Sequence, residues 1–291
     1  MVKTLAQLYL DARRELMQQE DDQSAALIAR NVICHVTGLT NEQVIANREK
    51  YVGGSVVEAV DKAVARLLNQ EPLAYVLGQW EFYGLNLQVT PSVLIPRDDT
   101  CAVTDLAIRQ TLFLDSNPRI LDLCTGSGCI GLAIATRVKD SKVTLADISQ
   151  EALVVAKHNI VNHKLTSRVS CVRANALEAP PAFLGKFDLI VSNPPYITTR
   201  EMLELPRSVA AFEPRMALHG GEDGLEFYRS IAKEYAHVLK PGGYLCFEFG
   251  MGQGDDVCTI LEANGYTILE RARDYNDRER AVMARYDRKE D

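Results

Sequence analysis

YTILERARDYNDRERAVMARY, residues 266–286, contains two runs of strand-forming character, Tyr266–Arg273 and Arg280–Tyr286, with only about six residues between them. A right-handed crossover between parallel strands needs a dozen or more residues, so this pair has to be antiparallel. Upstream, apolar strand candidates at Arg119–Cys124, Lys142–Ile148, Val169–Asn175, Phe187–Ser192 and Gly243–Phe249 alternate with helical stretches at 129–138, 150–163 and 223–239. Apolar strands separated by helices read as a parallel sheet covered on both faces. The expected fold is therefore α/β: a Rossmann-like, seven-stranded sheet with an antiparallel last strand. A dinucleotide-binding sheet has no need of that terminal hairpin.

Residues 1–75 have a different rhythm. Leu5, Leu8, Ala12 and Leu16 recur at three- and four-residue steps, as do Ala25, Ile28, Val32 and Val36. Thr40 with Gln43, and Ser55 with Glu58, have the spacing of capping boxes ahead of the next two helices. Four or five short helices form a small N-terminal bundle with no catalytic signature. Residues 76–98 mix aromatic and β-branched residues with glycine and proline, as a hairpin connector does, and core packing is the favoured reading of Trp80, Phe82 and Tyr83. The sheet domain then spans 99–291.

With 291 residues, 47% of them hydrophobic, the chain can bury a sizeable core. The formal net charge is −7, and residues 1–80 carry eight Lys/Arg against ten Asp/Glu. Holding nucleic acid takes a surplus of cations to replace condensed counterions, so the acidic balance argues against nucleic acid as the main partner. No apolar run is long enough for a membrane span, and the N-terminus reads as an amphipathic helix rather than a signal peptide. A cytoplasmic, monomeric protein is expected. The seven cysteines form no CxxC pair and have no histidine at ligand spacing, so they read as reduced core thiols and no metal site is expected.

ILDLCTGSGCIG, residues 120–131, is a strand ending in a glycine turn that opens a helix. Gly126, Gly128 and Gly131 satisfy G-x-G-x-x-G, a pattern shared by nicotinamide and flavin enzymes and weak by itself. Asp147, ending the next strand in VTLADIS, can accept both hydroxyls of a ribose; the competing reading, a helix cap, suits Ser149 better. Asp122 reads either as a structural strand-end residue or as a carboxylate beside a cationic part of the ligand. IVSNPPYI, residues 190–197, puts Asn193 at the carboxyl end of a buried strand, where open α/β sheets bind ligands. Pro194 and Pro195 fix φ and carry no N–H, leaving the local carbonyls as acceptors. The Asn193 side-chain oxygen with the Pro194 carbonyl can hold both hydrogens of one NH₂ group, while Tyr196 offers a face to a flat amide or base. The competing reading is a rigid turn that serves only the fold. Glu248, at a strand end, reads either as a residue that helps shape the pocket or, the commoner case, as a solvated carboxylate, and His219 as a loop residue rather than a base.

These residues carry a likeness. NPPY after the fourth strand resembles the amino-group methyltransferases, both adenine-N6 enzymes of nucleic acids and glutamine-N5 enzymes of proteins. Residues 71–97, 213–231, 239–253 and 273–285 resemble the peptide chain release factor glutamine-N5 methyltransferases, and the likeness covers most of 71–286. It implies a class I S-adenosylmethionine methyltransferase sheet over 99–291 and a helical substrate-docking domain over 1–75. The implied reaction is N5-methylation of the glutamine in the Gly-Gly-Gln loop of class 1 peptide chain release factors. Carried over residue by residue, it implies that Cys124, Thr125, Gly126, Ser127 and Gly128 line the methionine end of S-adenosyl-L-methionine. It further implies that Asp147 binds the ribose, that Asn175 and Ala176 lie near the adenine, and that Asn193, Pro194, Pro195 and Tyr196 hold the substrate. Asn193, Pro194 and Tyr196 are the expected catalytic residues, with Asn193 also beside the cofactor. The chain departs from the pattern at Cys124, where a glycine is usual, at Asp98 and Cys101 in the segment after Arg97, and at Asn175, where aspartate is frequent. The alternatives are an adenine-N6 nucleic-acid methyltransferase, which predicts a basic groove, and an interaction module that has lost transfer activity.

Overall fold

The computed structural model describes residues 2–287. The chain divides into two compact units, one running to Gly78 together with Arg207–Phe212, the other holding Gln79–Pro206 and the residues from Glu213 onward.

In the first unit β1 (Lys3–Thr4) leads into α1 (Leu5–Leu16), α2 (Asp22–Thr37) and α3 (Asn41–Ala46); β2 (Tyr51–Val52) then pairs antiparallel with β1 before α4 (Gly54–Leu68) and α5 (Leu73–Leu77). Leu5, Leu8, Ala12 and Leu16 of α1 are all buried, facing Ala25, Ala29, Val32 and Ile33 of α2 and Val57, Val60 and Val64 of α4. Thr4 with Gln7 and Thr40 with Gln43 form reciprocal capping boxes, each contributing about 1 kcal/mol. The Ser55–Glu58 box does not form. Val52 is held in the β1–β2 pair, so the helix starts at once from Gly53, and Ser55 falls inside the first turn. Arg207 donates to the Asn69 side chain, tying the later segment to this unit.

In the second unit β3 (Gln79–Phe82) and β4 (Leu85–Gln88) form a hairpin. Its two-residue turn, Tyr83-Gly84, has positive φ at both positions, which matches the twist of the flanking strands. Phe82 and Tyr83 pack into the core of this unit. The main elements follow as α6 (Cys101–Leu112), β5 (Arg119–Leu123), α7 (Cys129–Arg137), β6 (Lys142–Asp147), α8 (Gln150–Asn162), β7 (Val169–Arg173) and β8 (Phe187–Ser192). After α9 (Arg207–Ala210), which belongs to the first unit, come α10 (Glu226–Glu234), β9 (Leu239–Glu248), α11 (Gly254–Ala263), β10 (Tyr266–Arg273) and β11 (Glu279–Tyr286).

The sheet has seven strands in the order β10-β11-β9-β8-β5-β6-β7, and β11 runs antiparallel to both its neighbours. Two sequence expectations shift. β9 begins at Leu239 rather than 243, because Leu239 pairs with Phe187 ahead of a register shift. The helix expected over 223–239 is α10 followed by a 3-10 turn at Tyr235–Val238. Side chains alternate across the strands: Ile120, Leu145, Leu189, Val191 and Cys246 join one core with residues of α6, α7 and α8, while Leu121, Leu123, Ile190, Leu245 and Phe247 join another with α10 and α11. No helix among the described residues is long and apolar enough to cross a membrane.

Phe247 is fully buried and packs edge-on against Tyr228, whereas Phe183 is 77% exposed. Phe247→Ala should therefore cost about 3–5 kcal/mol of stability, and Phe183→Ala no more than about 0.5 kcal/mol, as read from urea unfolding midpoints.

Candidate active site

Strand register builds the site. Leu123 pairs with Ala146 on one side and with Ser192 on the other, and Ser192 pairs with Phe247. One residue further along each strand therefore lies a single row: Asp147, Cys124, Asn193, Glu248. The order of strands reverses between β5 and β8, and such a reversal opens a crevice at the carboxyl edge. The Ser192 hydroxyl donates to the Leu123 carbonyl over 2.6 Å and fastens the two strands where the crevice begins. A cavity of about 400 Å³ opens there, within the usual size of a small-molecule site.

On the β5 side the wall is the 124–128 turn. Cys124 has φ +61°, the left-handed region, which a residue with a Cβ enters at a cost of about 1–2 kcal/mol. The turn is held from both ends. Thr125 Oγ1 (2.6 Å) and the Gly131 amide (2.8 Å) donate to one oxygen of Asp122, and the Gly126 amide donates to Asp147 over 2.9 Å. Asp122 is fully buried beneath the turn and is not among the cavity-lining residues, so its structural reading prevails. Burial pushes its carboxyl up to about 7, against the two hydrogen bonds. Gly131 makes this close approach possible: a Cβ there would lie 2.3 Å from a Leu145 methyl and 2.9 Å from the Asp122 carboxylate. Ser127 Oγ is buried without a hydrogen-bond partner among the described residues beyond the weakly polar Cys129 thiol near it. Burial raises the Cys124 thiol well above its ordinary range, so it stays protonated and unreactive.

Asp147 ends β6, with one oxygen accepting the Gly126 amide and the other the Ser149 amide over 3.0 Å. Capping of α8 falls to Ser149, whose hydroxyl accepts the Ala152 amide. Burial raises the Asp147 carboxyl, against backbone hydrogen bonds from Ser149 and Gly126. Asn175 and Ala176 line the cavity after β7. The Asn175 side chain is turned on its own loop, accepting from the Leu177 amide and donating to Glu178. Arg97, ion-paired with buried Glu213, adds a guanidinium to the wall, and Val93, Ile130, Ile148 and Phe227 supply apolar surface.

On the β8 side Asn193 and Pro195 line the cavity; Pro194 and Tyr196 beside them, and Gly128 on the β5 side, are not among the lining residues. The turn is clamped by the 218–224 segment. The Ile197 amide donates to the Leu218 carbonyl, the Gly220 amide donates to the Ile197 carbonyl, and Gln253 Nε2 donates to the Tyr196 carbonyl. Gly220 and Gly224 allow this contact, because a Cβ on either would fall within 2.6 Å of the Pro195 or Tyr196 backbone. Burial, with Glu248 adding to it, pushes the Tyr196 phenol up to about 12, so it is neutral. His219 meets Thr199 and stays a loop residue.

Of the two sequence readings of Glu248 the solvated one fails: the residue is 1% exposed. The pairing of Phe247 with Ser192 and of Glu248 itself with Ala281 places it inside the sheet, one residue before the buried Phe249. Thr100, at the head of α6, meets the same row; its hydroxyl accepts from Asn193 Nδ2 over 3.3 Å. For Glu248 the signal lies in strand register, which no single motif carries.

Residues 7–78 match the family model of the PrmC N-terminal domain, and residues 104–208 that of the methyltransferase small domain. The chain is 36% identical over 276 residues to the release factor glutamine methyltransferase of Geobacter sulfurreducens, covering 95% of each. It is likewise 36% identical over 281 residues to that of Vibrio cholerae, again covering 95% of each chain. Among solved structures it is similar to a methyltransferase from Pyrococcus furiosus, with a TM-score of 0.52 at 20% identity, over 78% of this chain and 98% of that one.

The strain and the crowding at the turn predict opposite outcomes for two substitutions. Cys124→Gly should stabilise the protein by about 1 kcal/mol through release of the left-handed strain. Gly131→Ala should destabilise it by about 1–3 kcal/mol through overpacking. Thermal unfolding of the two variants beside the wild type checks both signs.

Proposed function

The chain belongs to the family of release factor glutamine methyltransferases, and on that premise we propose that it methylates the N5 nitrogen of the glutamine in the Gly-Gly-Gln loop of a class 1 peptide chain release factor, with S-adenosyl-L-methionine as methyl donor. The observation that carries this reading is the single row of Asp147, Cys124 and Asn193 along the edge of one cavity.

The residues suit that donor. Asp147 keeps acceptor capacity for ribose hydroxyls beyond its two backbone bonds. Ser127 Oγ is a buried polar atom whose one neighbour of this kind among the described residues is the weakly polar Cys129 thiol, and Arg97 offers a cation to a carboxylate. Apolar side chains accept a purine face. When bound, S-adenosyl-L-methionine supplies an electrophilic sulfonium methyl.

The protein's own part is to hold and aim a poor nucleophile. A carboxamide nitrogen has its lone pair delocalised into the C=O, so the site must localise it. In this reading Asn193 Oδ1 and the Pro194 carbonyl accept the two N–H hydrogens. Both proline nitrogens lack hydrogens, so the turn offers acceptors without competing donors. The half-buried Tyr196, neutral and fixed through its backbone by Gln253, flanks the planar amide. Orientation of this kind can supply several kcal/mol, up to roughly 7–11 where alignment is good. As the N–C bond forms the S–CH₃ bond breaks, sulfur keeping the electron pair as a neutral thioether, and nitrogen then gives up one of its two hydrogens as a proton to water. That proton is very acidic, so no strong base is required. The helical unit of residues 1–75 has the role of docking the release factor.

Incubating the protein with a release factor and labelled S-adenosyl-L-methionine should add one methyl group to the Gly-Gly-Gln glutamine, located by mass spectrometry. Label in DNA or RNA with none in the release factor overturns the reading. Asn193→Ala should lower the transfer rate by at least about 100-fold while the cofactor still binds. Asp147→Ala should weaken cofactor binding by at least about tenfold, measured by calorimetry.

A further inference from the structure

The proposed reaction needs the oxygen of the Asn193 carboxamide, not its NH₂ group, to face the substrate. The two ends of a carboxamide are nearly equal in size, so packing alone does not choose between them. The choice has to be made by whatever lies on the far side of Asn193.

Three facts identify that neighbour. In the β8–β9 register, Asn193 and Glu248 each follow the paired residues Ser192 and Phe247, so they are lateral neighbours. By alternation, Asn193 shares a face with Val191, and Glu248 with Cys246, both in the core that α6 covers. Thr100, at the head of α6, comes down on the same pair. Its hydroxyl accepts from Asn193 Nδ2, and the donors of both Thr100 and Asn193 are turned on the Glu248 carboxyl. Glu248 is 1% exposed, and its Oε2 is sealed from solvent with no hydrogen-bond partner among the described residues. A polar group this deep is costly without a compensating function.

We propose that Glu248 is a positioning residue: as a buried acceptor-only carboxylate, acting with Thr100, it holds the NH₂ end of Asn193 and so points Oδ1 into the cavity. The inference rests on the reaction proposed above, but the geometry it asserts exists without cofactor or substrate. An ionised carboxylate accepts and cannot donate, so it tolerates only one orientation of the amide. Once protonated it can donate to Asn193 Oδ1, and the flipped amide becomes equally good.

Protonation is within reach. Burial pushes Glu248 up to about 7, with hydrogen bonds from Thr100 and Asn193 and the charge of Arg280 opposing, and that of Asp99 adding. The groups facing it are Arg280 of β11, which is ion-paired with Asp99 and Asp274, Tyr196 beyond β8, Tyr228 of α10, and Cys101 and Cys129 at the starts of α6 and α7. Burial raises the tyrosines and cysteines, Cys101 to about 11 and Tyr196 to about 12, so they stay neutral near pH 7. Arg280 stays charged.

The test is nitrogen-15 NMR of the apo protein together with steady-state kinetics. The Asn193 side-chain proton pair, identified by its loss in Asn193→Ala, should shift with a midpoint near pH 7 and be slow to exchange with water above it. In Glu248→Gln the pH response should vanish. In the same variant kcat should fall by about 10- to 100-fold, with KM for the cofactor close to wild type and the acid limb of the rate profile lost. Thr100→Val, which keeps the shape and removes the bridging hydroxyl, should give a smaller loss with the same split, and it carries the test if Glu248→Gln fails to fold. A proton pair indifferent to pH and to both substitutions, or an undiminished kcat in both, overturns the proposal. If the proton pair responds as stated while the wild type transfers no methyl group to a release factor, the positioning role stands and the proposed reaction falls.

Discussion

Everything at this site depends on the register of four parallel strands. β6, β5, β8 and β9 are paired so that Ala146, Leu123, Ser192 and Phe247 lie level, and the next position on each carries Asp147, Cys124, Asn193 or Glu248. Because side chains alternate, a slip of one residue on any strand would turn that polar group into a core and bring an apolar one to the edge. The register is held by the apolar residues behind it, of which Leu121, Leu123, Ile190, Val191, Leu245 and Phe247 are all fully buried. The hydrophobic pattern that folds the sheet is therefore also what aligns the chemistry.

The same edge gathers the unfavourable features of the fold. Cys124 sits in the left-handed region, and Asp122, Asp147 and Glu248 are all carboxyls raised by burial. Strain and desolvated acids at one place are typical of a site shaped for binding rather than stability. Each has a mechanical reason: Asp122 braces the turn from below, Asp147 braces it from the side, and Glu248 faces Asn193. Two large apolar cores offset the cost, and the crowded backbone contacts at Gly131, Gly220 and Gly224 keep the turns from relaxing away.

Much of this was legible in the sequence, because it rests on local or periodic signals. The short link between the last two strands forces their antiparallel pairing, and the observed β10–β11 ladder follows it. The strands at 119, 142, 169 and 187 begin where apolar runs begin. What escaped depends on non-local pairing. Glu248 looks solvated when read along the chain as LCFEF, since only the β8 and β11 neighbours reveal that both its flanks are covered. Ser55 looks like a cap until the β1–β2 pair fixes where α4 must start. Asp122 is ambiguous in sequence because facing a ligand and bracing a turn differ only by which side of the loop lies above it. The clamp of residues 218–224 on Tyr196 brings together segments more than twenty residues apart, beyond any motif.

The placement of charge along the row has its own logic. In methyl transfer from a sulfonium to a neutral amide, positive charge spreads away from sulfur as the bond to nitrogen forms. A full negative charge against the reacting atoms would stabilise the concentrated charge of the ground state more than the dispersed charge of the transition state, and so would slow the step. A neutral acceptor is the better contact, and in the proposed reaction that acceptor is Asn193. Yet a neutral carboxamide has two nearly interchangeable ends, and an acceptor that cannot donate, such as a carboxylate, tells them apart. A carboxylate outside the cavity lining can do so through hydrogen bonds that fix geometry, with the charge of Arg280 opposing its own. In the proposed reaction, asparagine at the edge of β8 and glutamate at the edge of β9 meet both requirements.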